Sequence, residues 1–432
     1  MENVSFKIPL ISVIPFLLML LSIAIFPLLI HRFWEKNKNK LTVALILSAP
    51  IIIYFTSAGL TSTIFETITF DYIPFIILLG SLYTITGGIF LDGDIEATPL
   101  INTAFLAVGA VLASIMGTTG AAMLLIRALI HTNKERKFKT HTILFFIGVV
   151  ANCGGLLTPL GDSPLFMLYL RGAPFAWFFK LLPEWLVTNF LLLCVYCFVD
   201  FYYHKREPKE AIVSDKLAIR PLKIAGKLNL LWLVGVVLAV AFLNEQQLPF
   251  ISNNHFYKFI REGVILSMAI FSLLFTTRLV RSSNNFSWEP IKEVAYIFLG
   301  VFVTMVPCLL YLEQNAKSLG INFANQFYYC SGLLSSFLDN APTAVAFHSL
   351  ALGLGEHTTE MVAGIPQEIL KAISVGAVFF GSMTYIGNGP NFMIKAIAEE
   401  NNIKLPHFFA YIYKFSLIVL LPIFIIVQLL FI

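Results

Sequence analysis

Charge is the scarcest feature of this chain. Asp, Glu, Lys and Arg make up 12% of its 432 residues, about half the share of an ordinary soluble protein. No stretch interleaves Lys or Arg with aromatic rings, so the sequence offers no nucleic-acid-binding face. An H-E-x-x-H metal-hydrolase motif is missing. Cysteine is rare, and all five (Cys153, Cys194, Cys197, Cys308, Cys330) lie in apolar segments. Cys194 and Cys197 have C-x-x-C spacing but lack the exposed loop or further ligands of a redox or metal site. They read as small apolar residues one turn apart on a helix. Apolar residues are abundant instead: 58% of the chain, including 41 Phe, for a mean hydropathy of +0.81.

Runs near 20 residues cross roughly 30 Å of hydrocarbon at about 1.5 Å per residue. Hydropathy places spans near 8–31, 42–60, 72–91, 141–170, 183–203, 228–247, 263–280, 293–312, 368–394 and 407–430. The first run exceeds the roughly 7–15 residues of a signal-peptide core. It is followed by Arg32, Lys36, Lys38 and Lys40, so it reads as a retained helix ending in the cytoplasm. Two more apolar stretches, 101–130 and 323–353, are broken by polar residues and Gly or Pro. Each half is short for a crossing, so both read as re-entrant helical hairpins.

The expected fold is an all-α polytopic membrane protein with about ten spans, two of them broken, and two hairpins. Its inner loops, 32–40, 92–100, 131–140, 204–227, 281–292 and 395–405, hold 19 of the 29 Lys and Arg. This follows the positive-inside rule. The segment 204–227 reads as a cytoplasmic linker between two inverted repeats. The first, 1–203, contains hairpin 101–130 and broken span 141–170. The second, 228–432, contains hairpin 323–353 and broken span 368–394. Leu79-Gly80 matches Leu299-Gly300, and Thr119-Gly120-Ala121 matches Asp339-Asn340-Ala341, both at an offset of 220. Gly161-Asp162-Ser163-Pro164 matches Gly387-Asn388-Gly389-Pro390 at an offset of 226.

Unwound backbone survives at membrane depth only inside protein or along a wet cavity. Paired breaks in two repeats therefore point to a transport site. The four breaks are GTTG (117–120), NCGGLLTPLGDSP (152–164), DNAPT (339–343) and GSMTYIGNGPN (381–391). Their oxygens suit Na⁺, and their half-helix N-termini carry partial positive charge. Capping alone explains Pro164 and Ser163 but not the two intramembrane carboxylates, Asp162 and Asp339. An ionisable residue at such depth marks a functional site by default. The expectation is competitive binding of Na⁺ or H⁺ by Asp162 and Asp339, lined by Thr118, Thr119, Asn152, Ser163, Asn340, Thr343, Asn388 and Asn391. Bland readings suit other polar residues: a solvated loop for Asp92, Asp94 and Glu96, and a packed, hydrogen-bonded ring for His348, whose alternative is a proton relay.

At these motifs the chain resembles the ion transporter superfamily. Its nearest likenesses are NhaD-type sodium/proton antiporters and the CitMHS group, named for citrate transport. Gly117-Thr118-Thr119, Asn152-Cys153-Gly154-Gly155 through Thr158-Pro159-Leu160-Gly161-Asp162, and Ser335-Ser336-Phe337-Leu338-Asp339-Asn340 carry the likeness. It runs from about residue 70 to 432, with 8–60 matching in span pattern only. The resemblance implies inverted repeats, a central cation site, alternating access, a homodimer and a bacterial inner membrane. Pro164 departs from the NhaD pattern, and Tyr385, Gly389 and Pro390 stand nearer the citrate group.

The residues favour a Na⁺/H⁺ antiporter, since no Arg or Lys stands beside the two acids to neutralise a polycarboxylate. The alternative is a transporter of citrate or a related organic anion, taken as a metal complex so that the acids meet a cation. Efflux of a neutral oxyacid such as arsenite is a third transport reading, and a channel a fourth. An intramembrane enzyme would leave GNGP and the hairpins unexplained. No cofactor is expected beyond transported or coupling Na⁺ and H⁺.

Overall fold

A computed structural model of the chain describes residues 7–253, 257, 259–355 and 360–432. The first half contributes α1 (Ile14–Leu29), α2 (Asn37–Ser57), α3 (Ile73–Thr86), β1 (Phe90–Asp94), α4 (Pro99–Met116), α5 (Thr118–Thr132), α6 (Thr140–Val149), α7 (Ser163–Leu170) and α8 (Leu182–His204). The middle of the chain forms α9 (Lys209–Leu217) and β2 (Arg220–Ala225). Then follow α10 (Leu228–Phe242), α11 (Phe259–Phe275), α12 (Glu289–Asn315), α13 (Ala324–Phe337) and α14 (Asn340–Leu354). A small sheet, β3 (Met361–Val362) and β4 (Ile365–Pro366), leads to α15 (Gln367–Phe380), α16 (Gly389–Glu400) and α17 (Leu421–Phe431).

Among the described residues, eight helical stretches are long and apolar enough to cross a membrane, which makes the chain a multi-pass membrane protein. They are Leu10–Pro27, Asn37–Ser57, Thr61–Thr86, Pro99–Met116, Thr140–Leu157, Phe175–His204, Glu289–Ser318 and Phe408–Phe431. The list differs from hydropathy at four stretches: 228–247, 263–280 and 368–394 are not on it, the last being two helices of 14 and 12 residues on either side of its break, and Pro99–Met116 is added. The expected spans 228–247 and 263–280 become helices of 15 and 17 residues, roughly 22 and 26 Å long. Pro99–Met116 has 18 residues, long enough to cross although hydropathy makes it half a hairpin.

Two sets of helices build the molecule. In one, α2 and α1 pack on α12, and α11 packs on α3 and α10. The other contains the broken helices and helix pairs: α4 on α5, α13 on α15, α14 on α7, and α16 on α5. Contacts of α12 with α14 and of α3 with α5 join the sets. Exposed Ile46, Ile53, Phe190, Phe198 and Leu429 give α2, α8 and α17 apolar outer faces, as lipid contact requires.

Helix starts are written in Pro and in short polar caps. Pro99, Pro164 and Pro390 each occupy a first-turn position, where the missing N–H costs nothing. Gly117 links α4 to α5 directly at φ +83°, a conformation that favours glycine. The freed backbone is satisfied locally, as burial demands. Thr118 N donates to Gly161 O at 2.8 Å. Thr158 Oγ1 donates to Ser114 O at 2.5 Å and accepts from Leu160 N. The same device recurs 226 residues on: Thr384 Oγ1 donates to Ser336 O and accepts from Ile386 N and Gly387 N.

The segments read as inner loop 92–100 and linker 204–227 are partly ordered as strands. β1 pairs antiparallel with β2, Phe90 opposite Ala225 and Leu91 opposite Ile224. Alternation in Leu222-Lys223-Ile224 was the sequence cue for a strand. Asp94 is therefore buried rather than solvated, 3.4 Å from His131 Nδ1. Nearby, Asp215 on α9 accepts from Ala97 N at 2.9 Å.

Burial pushes the Asp94 carboxyl above its usual value, with Glu135 adding to the shift and His131 and Arg220 opposing it. Burial also raises Asp215, opposed by the Ala97 N–H and helped by Glu135, Asp94 and Glu96. The folded protein thus holds protons that the unfolded chain has released. Stability of this corner falls as pH rises from the ordinary carboxylate range through the raised values. Amides of 209–217, corrected for intrinsic exchange, should exchange more slowly at about pH 5 than at about pH 7.5. Asp215→Asn should shrink the difference, and equal protection of the wild type at both pH values contradicts the coupling.

Candidate functional site

The buried middle of the molecule is where the broken helices meet. In Thr140–Leu157, 78% of the apolar window is buried, against 28% for the lipid-facing Phe175–His204. Asp162 lies here, 4% exposed, as the N-cap of α7. Its two oxygens accept from neutral donors on every side. Ser163 N donates to Oδ1 at 3.0 Å and Thr118 Oγ1 at 3.2 Å. Asn340 Nδ2 donates to Oδ2 at 2.8 Å, and Asn388 Nδ2 lies 3.3 Å from both oxygens.

Each donor sits at the start of a different helix. Thr118 opens α5, Ser163 opens α7, Asn340 opens α14, and Asn388 is the N-cap of α16. Four helix N-termini, with their free N–H groups and partial positive charge, therefore meet around one carboxylate. No Lys or Arg among the described residues is hydrogen-bonded or ion-paired to Asp162.

A second layer of amides fixes this arrangement. Asn388 Nδ2 also donates to Asn152 Oδ1 at 3.1 Å. Asn152 Nδ2 donates to Asn391 Oδ1 at 2.8 Å, and Asn391 Nδ2 donates to Gly381 O and Thr384 O. Ser163 Oγ donates to Asn340 Oδ1 at 3.0 Å, tying α7 to α14. Both broken segments thus lock to one another through side-chain amides.

Seven of the ten residues singled out in the sequence enter this network: Asp162, Thr118, Asn152, Ser163, Asn340, Asn388 and Asn391. The other three stand beside it. Asp339 is half-buried and caps α14, accepting from Ala341 N at 3.1 Å. Thr343 Oγ1 donates to Asp339 O within the same helix. Thr119 is half-buried, with no hydrogen bond to the cluster among the described residues. His348 is buried and its Nε2 lies 2.9 Å from Ala363 O.

Sequence reasoning missed Thr384, whose carbonyl seats Asn391. Its counterpart Thr158 at the 226-residue offset was the available signal. It also passed over buried carboxylates outside the breaks. Asp200 on α8 pairs with Arg136 at 2.6 Å and lies 2.7 Å from His141 Nε2. Glu184 pairs with Lys371 at 3.0 Å. Each has a basic partner, so these read as structural pairs, whereas Asp162 has only neutral partners.

Among the described residues, no group of three or more His, Cys, Asp or Glu could hold a metal ion. The oxygens of Asp162, Thr118, Ser163 and Asn340 are hard donors of the kind that alkali cations take in place of water.

No curated protein matches the chain. A family model described as "Putative citrate transport" (CitMHS_2) matches residues 5–432. That match spans both sets of helices and all four breaks. The family is one of transporters, which removes the enzyme reading and sets organic-anion transport ahead of cation exchange. The chain is a multi-pass membrane protein and belongs to the CitMHS_2 family.

Proposed function

We propose that the protein is a secondary active transporter of citrate or a related organic polycarboxylate, with its central site at Asp162. The observation that carries this reading is the meeting of four helix N-termini around a single carboxylate. Such termini attract anionic substrate groups in transporters built from broken helices. They supply the positive potential that Lys and Arg would otherwise provide. Asp162 then serves as the seat of a cation, either a coupling H⁺ or Na⁺ or the metal of a complexed substrate. One cation on Asp162 cancels the repulsion that a substrate carboxylate would meet there. The remaining N–H groups of the four helix ends hold the substrate. Asp339 stands one residue from Asn340 and extends the same acidic surface.

Pairing of the breaks at the 226-residue offset supports two inverted repeats, 1–203 and 228–432, working by alternating access about this centre. Homodimerisation and cation coupling belong to the same proposal.

Uptake of labelled citrate into proteoliposomes tests the reading, with H⁺ or Na⁺ gradients imposed in turn and a divalent metal present or absent. Saturable, gradient-driven citrate accumulation is the expected outcome. No organic-acid flux under any gradient, with protons moving on addition of Na⁺ alone, would instead establish Na⁺/H⁺ exchange at the same carboxylate.

A further inference from the structure

The segment from Lys205 to Lys227 leaves the membrane-crossing α8 and enters the apolar α10, so it lies at the membrane surface. It carries α9 and β2. A surface helix of a water-soluble protein turns its apolar stripe inward and its charges outward. α9 does the reverse. Asp215 is its buried residue, faces the protein and accepts from Ala97 N at 2.9 Å. Val213 and Leu217, one turn apart, are exposed, Leu217 at 83%. Lys209 and Lys216 share that outer side, four and three residues from Val213.

β2 continues the pattern. Leu222 and Ile224 project from one face of the strand, and both are exposed. Arg220 and Lys223 beside them are exposed as well. β2 reaches α10 through Gly226 and Lys227, and exposed apolar residues run on along α10 as Leu231, Val234 and Leu238. These recur at helical spacing and form the side of α10 that meets hydrocarbon. The apolar residues of the strap are thus continuous with a lipid-facing stripe.

The charge of the segment has one sign. Seven Lys and Arg between 205 and 227 are exposed, against one exposed acid, Glu210. Glu207 is buried and accepts from Lys137 N and Phe138 N, both at 2.9 Å. Two acids of the neighbouring stretch oppose the cations in part. Glu96 lies 3.7 Å from Lys216, and Asp92 stands opposite Lys223 in the ladder. Most of the positive charge is left facing outward.

We propose that α9 and β2 form a strap that docks on an anionic lipid leaflet. Val213, Leu217, Leu222 and Ile224 enter the boundary between headgroups and acyl chains. Lys209, Lys216, Arg220 and Lys223 meet the lipid phosphates, their apolar stems lying along the same boundary. Interfacial helices bind through this pairing of buried apolar area with attraction to anionic headgroups. The strap is tied to the transport core by the β1–β2 ladder and by the Asp215–Ala97 bond, which holds the residues just before α4. Lipid docking therefore steadies the start of the helix that ends at Gly117, beside the Asp162 cluster. None of this depends on which substrate is carried.

Hydrogen exchange of the full-length protein in nanodiscs at a single pH tests the docking. Discs of phosphatidylcholine alone are compared with discs containing phosphatidylglycerol in equal amount. Amides of 209–217 should exchange about tenfold more slowly in the anionic discs. Added salt should shrink the difference, because screening weakens contact between the cations and the headgroups. The combined Lys209→Gln, Lys216→Gln, Arg220→Gln and Lys223→Gln variant should exchange alike in both. Equal exchange of the wild type in the two kinds of disc would overturn the proposal. Should the combined variant fail to fold, Leu217→Trp decides, its emission taken as the difference from wild type. Lipids brominated near the headgroup should quench the added Trp. An added Trp open to aqueous iodide and unaffected by brominated lipid would place the strap in water, free for a soluble partner, and would overturn the docking.

Discussion

Asp162→Asn should abolish substrate uptake while leaving the protein in the membrane. Thr118, Ser163 N, Asn340 and Asn388 all direct donors at this carboxylate. An amide in its place keeps one acceptor and turns its own N–H₂ against donors. Hydrogen bonds to a charged group contribute about 1.5–3 kcal/mol each, and about 1.36 kcal/mol is tenfold in rate. Loss of two such bonds therefore lowers uptake by at least about 100-fold. The variant also removes the seat for a cation, so raising the driving gradient should not restore flux. Uptake per reconstituted protein within threefold of wild type would show that Asp162 is not the centre.

Gly161→Ala should be among the most damaging small substitutions for folding. A Cβ at Gly161 would stand 2.0 Å from Gly155 O. The clash is with backbone, inside a segment whose carbonyl at Gly161 already accepts from Thr118 N. No side-chain rotation relieves it. Ordinary overpacking of a core costs about 1–3 kcal/mol, and this contact is closer than overpacking permits. Gly387→Ala should behave alike, since its Cβ would meet Gly381 O at 2.7 Å and Ser335 O at 2.8 Å. Gly263→Ala is the control: it lies on α11 with nothing within 4 Å. Its expected effect is neutral or a gain of roughly 0.5–1 kcal/mol. Detergent-solubilised yield and thermal unfolding check all three. A Gly161→Ala protein as stable as wild type would mean that Gly161 and Gly155 do not approach this closely within their unwound segment.

These two positions show which parts of the molecule a reader of the sequence could reach. Gly161 and Gly387 were visible as matched breaks because polar residues, Gly and Pro interrupt long apolar runs only where backbone is unwound. Asn152, Asn388 and Asn391 were visible for the same reason. The ranking of the acids was not. Asp162 and Asp339 look equivalent as intramembrane carboxylates, yet one collects donors from four helices and the other caps its own. That difference depends on which helix starts converge. The ion pairs Arg171–Asp71 and Arg136–Asp200 join residues far apart in sequence and carry no local signature. Strands β1 and β2 escaped for another reason. They are short, they lie in charged segments, and each has meaning only beside the other. The span at α10 was read long and the one at α11 too far along the chain, because hydropathy does not mark where an apolar run enters or leaves its helix.

The β1–β2 ladder has a consequence for the continuity of the chain. β1 belongs to the stretch between α3 and α4, and β2 leads directly into α10. The peptide link between the halves, from His204 to Ala218, is therefore not the sole thing fastening them at this face. A break between the exposed Lys205 and Arg206 would leave Phe90 still facing Ala225 and Leu91 still facing Ile224. Two fragments made separately, 1–205 and 206–432, carry complementary strand edges and complementary halves of the Asp162 cluster. Co-expressed, the two fragments should therefore assemble and co-purify.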